Sequence, residues 1–240
     1  MRIAMWSGPR NLSTAMMYAF GNRTDFSVVD EPFYAVYLSQ TGLNHPMREE
    51  ILASQSQDPK SVVNSLLGPV PGGKPHFYQK HMTQHMLPGI PRDWMAEVKN
   101  VFLIRHPARV IASFAAKYED LTLSDIGFTQ QTELYEQLCD QGIVPLVIDS
   151  FDIRQDPETM LRKLCGALGL VWDPAMLSWA EGGHPDDGIW AAHWYGAVHR
   201  STGFAGPEGD LPELNGALAG LAENAMPHYE RLKAAALSAG

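Results

Sequence analysis

The stretch Trp6-Ser-Gly-Pro-Arg-Asn-Leu-Ser-Thr14 joins the end of an apolar run to the start of an apolar helix. Ser7, Gly8 and Pro9 turn the chain. Arg10, Asn11 and Leu12 lead into Ser13 and Thr14, where exposed backbone N–H groups at a helix start favour an anion. Ser13 and Thr14 add hydroxyl donors, and Arg10 adds a planar fork suited to phosphate or sulfate oxygens. The usual phosphate loop, G-x-x-x-x-G-K-[ST], has a second Gly and a Lys that are missing here. Read alone, the stretch is either an anion loop or a plain turn capped by Ser13. Further polar residues stand at the ends of other apolar runs: Glu31 after VVD, Lys80 and His81 after HFYQ, and Arg105 after VFLI. Ser113 follows Arg105 by eight residues, two helical turns, which return it toward the strand end.

These residues need a frame that gathers them. Segments 2–7, 26–32, 76–82, 98–106 and 143–151 read as strands, the fourth carrying the unbroken apolar run Val101–Ile104. Between them, 13–21 reads as a helix buried all round. Pro107 opens a helix through about Tyr118, and a polar helix covers about 124–141. Asp156 caps a helix that begins at Pro157 and stops at Gly169. Residues 40–75 read as irregular, and a C-terminal helix pair is expected to break near Pro227. Strands alternating with helices imply an α/β, P-loop-like three-layer fold: a central parallel sheet with helices on both faces. Ligands then bind at the C-terminal strand ends, where the residues named above fall. No linker-like stretch divides the chain, so 1–240 is expected to be a single domain.

The bulk numbers exclude several classes. A net charge of −9 argues against nonspecific nucleic-acid binding, so an anion must be held by a local cluster. No run of 18 apolar residues or signal-like leader is present, so no membrane partner is expected. Cys139 and Cys165 read as small core residues of a reducing, cytoplasmic protein. His184, His193 and His199 lack metal-ligand spacing, and no metal is expected. Trp172, Trp179, Trp190 and Trp194 form either a local core or the wall of an acceptor pocket, and the segment 40–75 is another candidate for an acceptor lid.

The phosphate-type loop, the Arg105…Ser113 pair in FLIRHPARVIAS, the segment DSFDIRQDPETMLRKLCGALGL and the stretch VHRSTGF (198–204) together resemble the sulfotransferase superfamily. The first of these resembles the W-S-G-P-R-N-x-S-T subgroup. The resemblance spans residue 3 to about 204. It implies transfer of a sulfuryl group from 3′-phosphoadenosine 5′-phosphosulfate (PAPS), leaving adenosine 3′,5′-bisphosphate, without a metal. It assigns Gly8 to Thr14 to the 5′-phosphosulfate, with Arg10 at the family's Lys or Arg position. Arg105 and Ser113 fall to the 3′-phosphate, and Arg200, Ser201 and Gly203 match the late loop that closes over the nucleotide. Leu12 departs from the family, where many members have Gly, and the C-terminal dimerisation motif of the animal enzymes is absent, which leaves oligomeric state open. Some plant relatives also carry an aminotransferase domain; 240 residues leave no room for one, so aminotransferase activity is not expected.

Sulfuryl transfer needs a base for the acceptor hydroxyl or amine and positive charge at the leaving phosphate. Glu31, 21 positions after Arg10, matches the base of the family branches that carry Arg in the loop. His81, in a Lys-His…Leu-Pro stretch, resembles the base of the cytosolic branch. Glu31 is preferred and His81 stays open, with Lys80 and Arg10 beside the sulfuryl group. The acceptor is a small molecule of unspecified identity. Two other readings compete: an ATP-dependent small-molecule kinase with a degenerate phosphate loop, and a non-catalytic nucleotide-binding module.

Overall fold

The computed structural model describes residues 1–116 and 121–238. Five strands alternate with helices: β1 (Arg2–Ser7), α1 (Ser13–Gly21), β2 (Phe26–Asp30), α2 (Tyr34–Thr41), α3 (Arg48–Ser54), α4 (Pro59–Leu67), β3 (His76–Met82), β4 (Lys99–Ile104), α5 (Pro107–Ala115), α6 (Phe128–Asp140), β5 (Leu146–Asp149), α7 (Ser150–Gln155), α8 (Pro157–Leu168), α9 (Ala191–Trp194), α10 (Gly196–His199) and α11 (Ala217–Lys233). They form one parallel sheet in the order β2-β3-β1-β4-β5. The expected three-layer arrangement follows from residue alternation. Ile3 and Met5 of β1 pack with Met16, Met17 and Phe20 of α1 and with Leu161 and Leu164 of α8. Ala4 and Trp6 face the other layer, with Val62 and Leu66 of α4, Leu134 and Leu138 of α6 and Leu232 of α11. β1 lies at the centre, so the loop after it opens where the chain crosses from one half of the sheet to the other.

Several boundaries differ from the sequence reading. β2, β4 and β5 are shorter than expected, and α7 precedes the helix that Asp156 caps. The helix opened by Pro107 is described to Ala115; Tyr118, its expected end, lies outside the described residues. The segment 40–75 is not irregular. It holds α3 and α4, the latter capped by the Asp58 carboxylate, which accepts from the Ser61 N–H at 2.9 Å, with Pro59 in its first turn. Its Pro, Gly and Ser content masked the stripe Val62, Val63, Leu66, Leu67. The C-terminal helix pair is instead one helix that runs through Pro227. An interior Pro costs about 3 kcal/mol or more, but the half beyond it is tied down. Tyr229 Oη donates to Asp149 Oδ2 at 2.6 Å, Lys233 Nζ lies 2.8 Å from both Asp149 and Asp152, and Leu232 is buried. Cys165 is buried and Cys139 half-buried, both as free thiols. No helix among the described residues is long and apolar enough to cross a membrane.

Candidate active site

The loop after β1 is held from behind. A Cβ on Gly8 would stand 2.6 Å from the Ile126 carbonyl oxygen, so only glycine fits there. Asn11 Nδ2 donates to Leu103 O at 2.9 Å, while its Oδ1 accepts from the Leu12 N–H at 2.7 Å. Arg10 has φ 56°, a left-handed conformation that costs an ordinary residue roughly 1–2 kcal/mol. The Arg105 guanidinium stabilises it by donating from Nη1 to Arg10 O at 2.6 Å. The Arg10 side chain reaches Ser113, with Nε donating to Oγ at 2.9 Å. Two residues that the resemblance assigns to different phosphate groups of one nucleotide are therefore in direct contact.

Glu31 also has positive φ, 40°. Its N–H donates to Lys80 O, and its carbonyl accepts from Tyr34 N and Gln55 Nε2, at 2.9, 3.0 and 3.1 Å. These bonds overdetermine a strained turn that aims the carboxylate inward. Lys80 Nζ stands 2.6 Å from Glu31 Oε1, 2.8 Å from Asp30 Oδ1 and 2.7 Å from Tyr195 Oη. Tyr195 Oη in turn donates to Asp30 Oδ2 at 2.8 Å and accepts from Trp190 Nε1 at 3.0 Å. Burial works against the Lys80 charge, but Asp30 and Glu31 outweigh it and hold the ammonium above its ordinary range. Burial, with Asp30 and Glu31, pushes the Tyr195 phenol up, so it stays a donor. Two carboxylates share one ammonium. The Asp30 side chain is 1% exposed and that of Glu31 10%, so Asp30 serves as the buried counterion and Glu31 is the carboxylate that faces the cleft.

These groups open into a cleft of about 570 Å³. Pro9, Arg10, Asn11, Leu12, Ser13, Thr14, Glu31, Lys80, Arg105, Ser113, Ser201 and Gly203 all line it. His81 does not. As the chain neighbour of Lys80 on β3 it points to the other face of the sheet, where it stacks on Trp6 at 4.4 Å, and burial pulls its pKa down to about 3. The histidine in the cleft is His85, whose ring lies between Tyr34 and Tyr37 at 4.7 and 4.8 Å. Its Nε2 is 3.9 Å from Glu31 Oε2, and burial keeps the ring neutral by pushing its pKa well down. Arg200 is exposed and outside the lining, and Gly8 acts from behind. Of the tryptophans, Trp179 and Trp190 are core residues and Trp194 lines the cleft, as do Leu43, Asn44 and His45 from the segment 40–75.

A family model described as sulfotransferase domain matches residues 1–236. The chain belongs to the sulfotransferase family. The fold of this sulfotransferase-family chain is similar to the Sulfotransferase Domain from the Curacin Biosynthetic Pathway, at TM-score 0.57 and 16% identity, covering 94% of this chain and 96% of that one. It is equally similar to a sulfotransferase from Alicyclobacillus acidocaldarius, at TM-score 0.58 and 13% identity, covering 97% and 94%. Two proteins of Arabidopsis thaliana, branched-chain-amino-acid aminotransferase-like proteins 1 and 2, are 40% and 38% identical over 206 residues. That alignment covers 86% of this chain but only 37% and 36% of theirs, so the chain spans little more than a third of these relatives.

Sequence reasoning missed several residues of this sulfotransferase-family site. Asp30 and His85 carried a usable signal, since strand alternation separates Lys80 from His81. Tyr195 carried none, because its contact to Lys80 bridges 115 positions. Glu208 was also missed. Its carboxylate, 2% exposed, pairs with Arg105, Arg109 and Arg154.

Proposed function

We propose that this chain transfers a sulfuryl group from PAPS to a hydroxyl or amine of a small-molecule acceptor. The observation that supports this best is that the anion-type loop 9–14 and the Glu31–Lys80 pair share one cleft. The donor set fits the nucleotide: Arg10, Ser13 and Thr14 suit the phosphosulfate, and Arg105 and Ser113 the 3′-phosphate. A carboxylate already lies against Arg105, which supports an anion site at this end of the cleft. PAPS, when bound, supplies the activated sulfuryl group. Glu31 takes the acceptor proton as the acceptor oxygen or nitrogen attacks sulfur, and Asp30 with Tyr195 keeps Lys80 charged and in place. Lys80 and Arg10 stabilise the negative charge that grows on the transferring group and on the leaving phosphate oxygen. His85, neutral and wedged between Tyr34 and Tyr37, shapes the acceptor side with Trp194. The two free thiols fit the cytoplasmic location expected from the sequence.

Thermal unfolding with EDTA present tests this reading. A ligand specific to the folded state adds about 2.7 kcal/mol at a hundredfold excess over Kd. Adenosine 3′,5′-bisphosphate is expected to raise Tm by several degrees, and ATP with Mg²⁺ by much less. The reverse order, with a shift that EDTA removes, would favour the kinase.

A further inference from the structure

Three arginines from three elements converge on one carboxylate. Arg105 follows β4 directly, Arg109 lies in the first turn of α5, and Arg154 lies on α7. Arg154 Nη1 is 2.9 Å from Glu208 Oε1, Arg109 Nε is 3.0 Å from Glu208 Oε2, and Arg105 Nη2 donates to Glu208 Oε1. The same arginines grip the backbone around Glu208. Arg154 Nε donates to Gly206 O at 2.8 Å, and Arg109 Nη2 donates to Gly209 O.

Three guanidinium groups carry more positive charge than one carboxylate balances. A phosphate dianion, with three acceptor oxygens, matches them better. Arg105 lines the cleft, and so does Ala205, so the cluster adjoins it directly. The segment that carries Glu208 is irregular and is held mainly by these arginines. Gly203 pairs with Ser178 on one side, α11 begins at Ala217 on the other, and no helix or strand lies between. Gly206 and Gly209 flank Pro207 and Glu208.

We propose that Arg109 and Arg154 complete, with Arg105, the site for the nucleotide's 3′-phosphate, and that Glu208 is an internal anion that fills this site until the nucleotide displaces it. This rests on the PAPS reading above for the identity of the phosphate. Binding then exchanges one anion for another, so the three arginines are never left without a counter-charge. Displacement of Glu208 also releases residues 204–211 from the three arginines.

The test is calorimetry on the full chain and on Glu208→Gln, which keeps the side-chain volume and removes the charge. The variant is expected to bind adenosine 3′,5′-bisphosphate about tenfold more tightly than the parent, because its competitor is gone. Adenosine 5′-monophosphate, which lacks the 3′-phosphate, is expected to gain much less. Adding Arg109→Ala and Arg154→Ala to the variant should remove the gain. Equal or weaker bisphosphate binding by Glu208→Gln overturns the proposal, as does an equal gain for the monophosphate. If bisphosphate binds neither protein, the PAPS reading has failed and sodium sulfate decides the anion site. A larger Tm rise in the variant than in the parent supports it, and equal rises overturn it. Should the variant not fold, a glutamyl endopeptidase decides on the parent chain. Cleavage after Glu208 should speed up when bisphosphate is added, and unchanged or slower cleavage overturns the proposal.

Discussion

Lys80 and His81 are neighbours on one strand whose side chains lie on opposite sides of the sheet. Lys80 meets Glu31 and lines the cleft, while His81 stacks on Trp6 in the layer behind. A proton acceptor for chemistry in the cleft must be on the Lys80 side, which favours Glu31 as the base.

Glu31→Gln is accordingly expected to lower kcat about 10²–10⁴-fold, the usual loss for a positioned general base. Bisphosphate affinity should stay near that of the parent. Steady-state kinetics and calorimetry on one preparation check both. His81→Phe, which keeps the stack on Trp6, should retain its rate per folded molecule. A collapse of rate in His81→Phe with an active Glu31→Gln would reverse the assignment.

Lys80→Met leaves Asp30 and Glu31 side by side without their cation. Removing one partner of a buried ion pair costs about 3–5 kcal/mol. Adding Asp30→Asn removes one of the two stranded charges and should recover part of that loss. Urea unfolding of the parent, both single variants and the double variant gives the coupling. Simple additivity would show that the pair does not interact as its 2.8 Å separation implies.

Acid should destabilise the fold through its buried imidazoles. Burial depresses His81 to about 3 and His85 well below its ordinary value. Above pH 6.5 both are neutral whether folded or unfolded and contribute nothing to the pH dependence. Below it the unfolded chain binds protons that the folded chain refuses. Each such histidine therefore removes roughly 1.4 kcal/mol of stability per pH unit, for His81 down to about pH 3. Urea midpoints from pH 7 to 4 should fall less steeply in His81→Phe, and an unchanged slope would show that His81 titrates normally.

Gly8→Ala would push a methyl group to 2.6 Å from the Ile126 carbonyl oxygen. Overpacking of this kind costs about 1–3 kcal/mol. Because Gly8 precedes Pro9 and Arg10, bisphosphate binding should weaken as well. Loss of stability with unaltered binding would mean that Ile126 yields and the loop does not.

Much of the site was legible because a parallel sheet presents its ligands at strand ends, and a strand end is a local feature of sequence. Arg10, Glu31, Lys80 and Arg105 were found that way, Ser113 by its eight-residue spacing from Arg105, and all line the cleft. What was not legible depends on long-range contact. Tyr195 reaches Lys80 across 115 positions, and Glu208 reaches Arg105 across 103. Pro227 misled for the same reason. Its local effect breaks a helix, and only the packing of Tyr229, Leu232 and Lys233 shows why the helix continues. His81 was a different error. The twofold alternation of β3 was in the sequence, yet the resemblance of the Lys-His stretch kept His81 open as the second candidate base.

The central place of β1 in the sheet has a consequence in time as well as in space. β1 pairs with β3 and β4, so Ile3 must wait for Tyr78 and then Lys99 before both its edges are covered. Arg10 meets Ser113 only after about a hundred further residues have been added. At roughly 5–20 residues per second that is an interval of about 5–20 s. During it the apolar run of β1 and α1 has no sheet to join. The anion loop is thus among the first parts of the site to be synthesised and among the last to take its working shape.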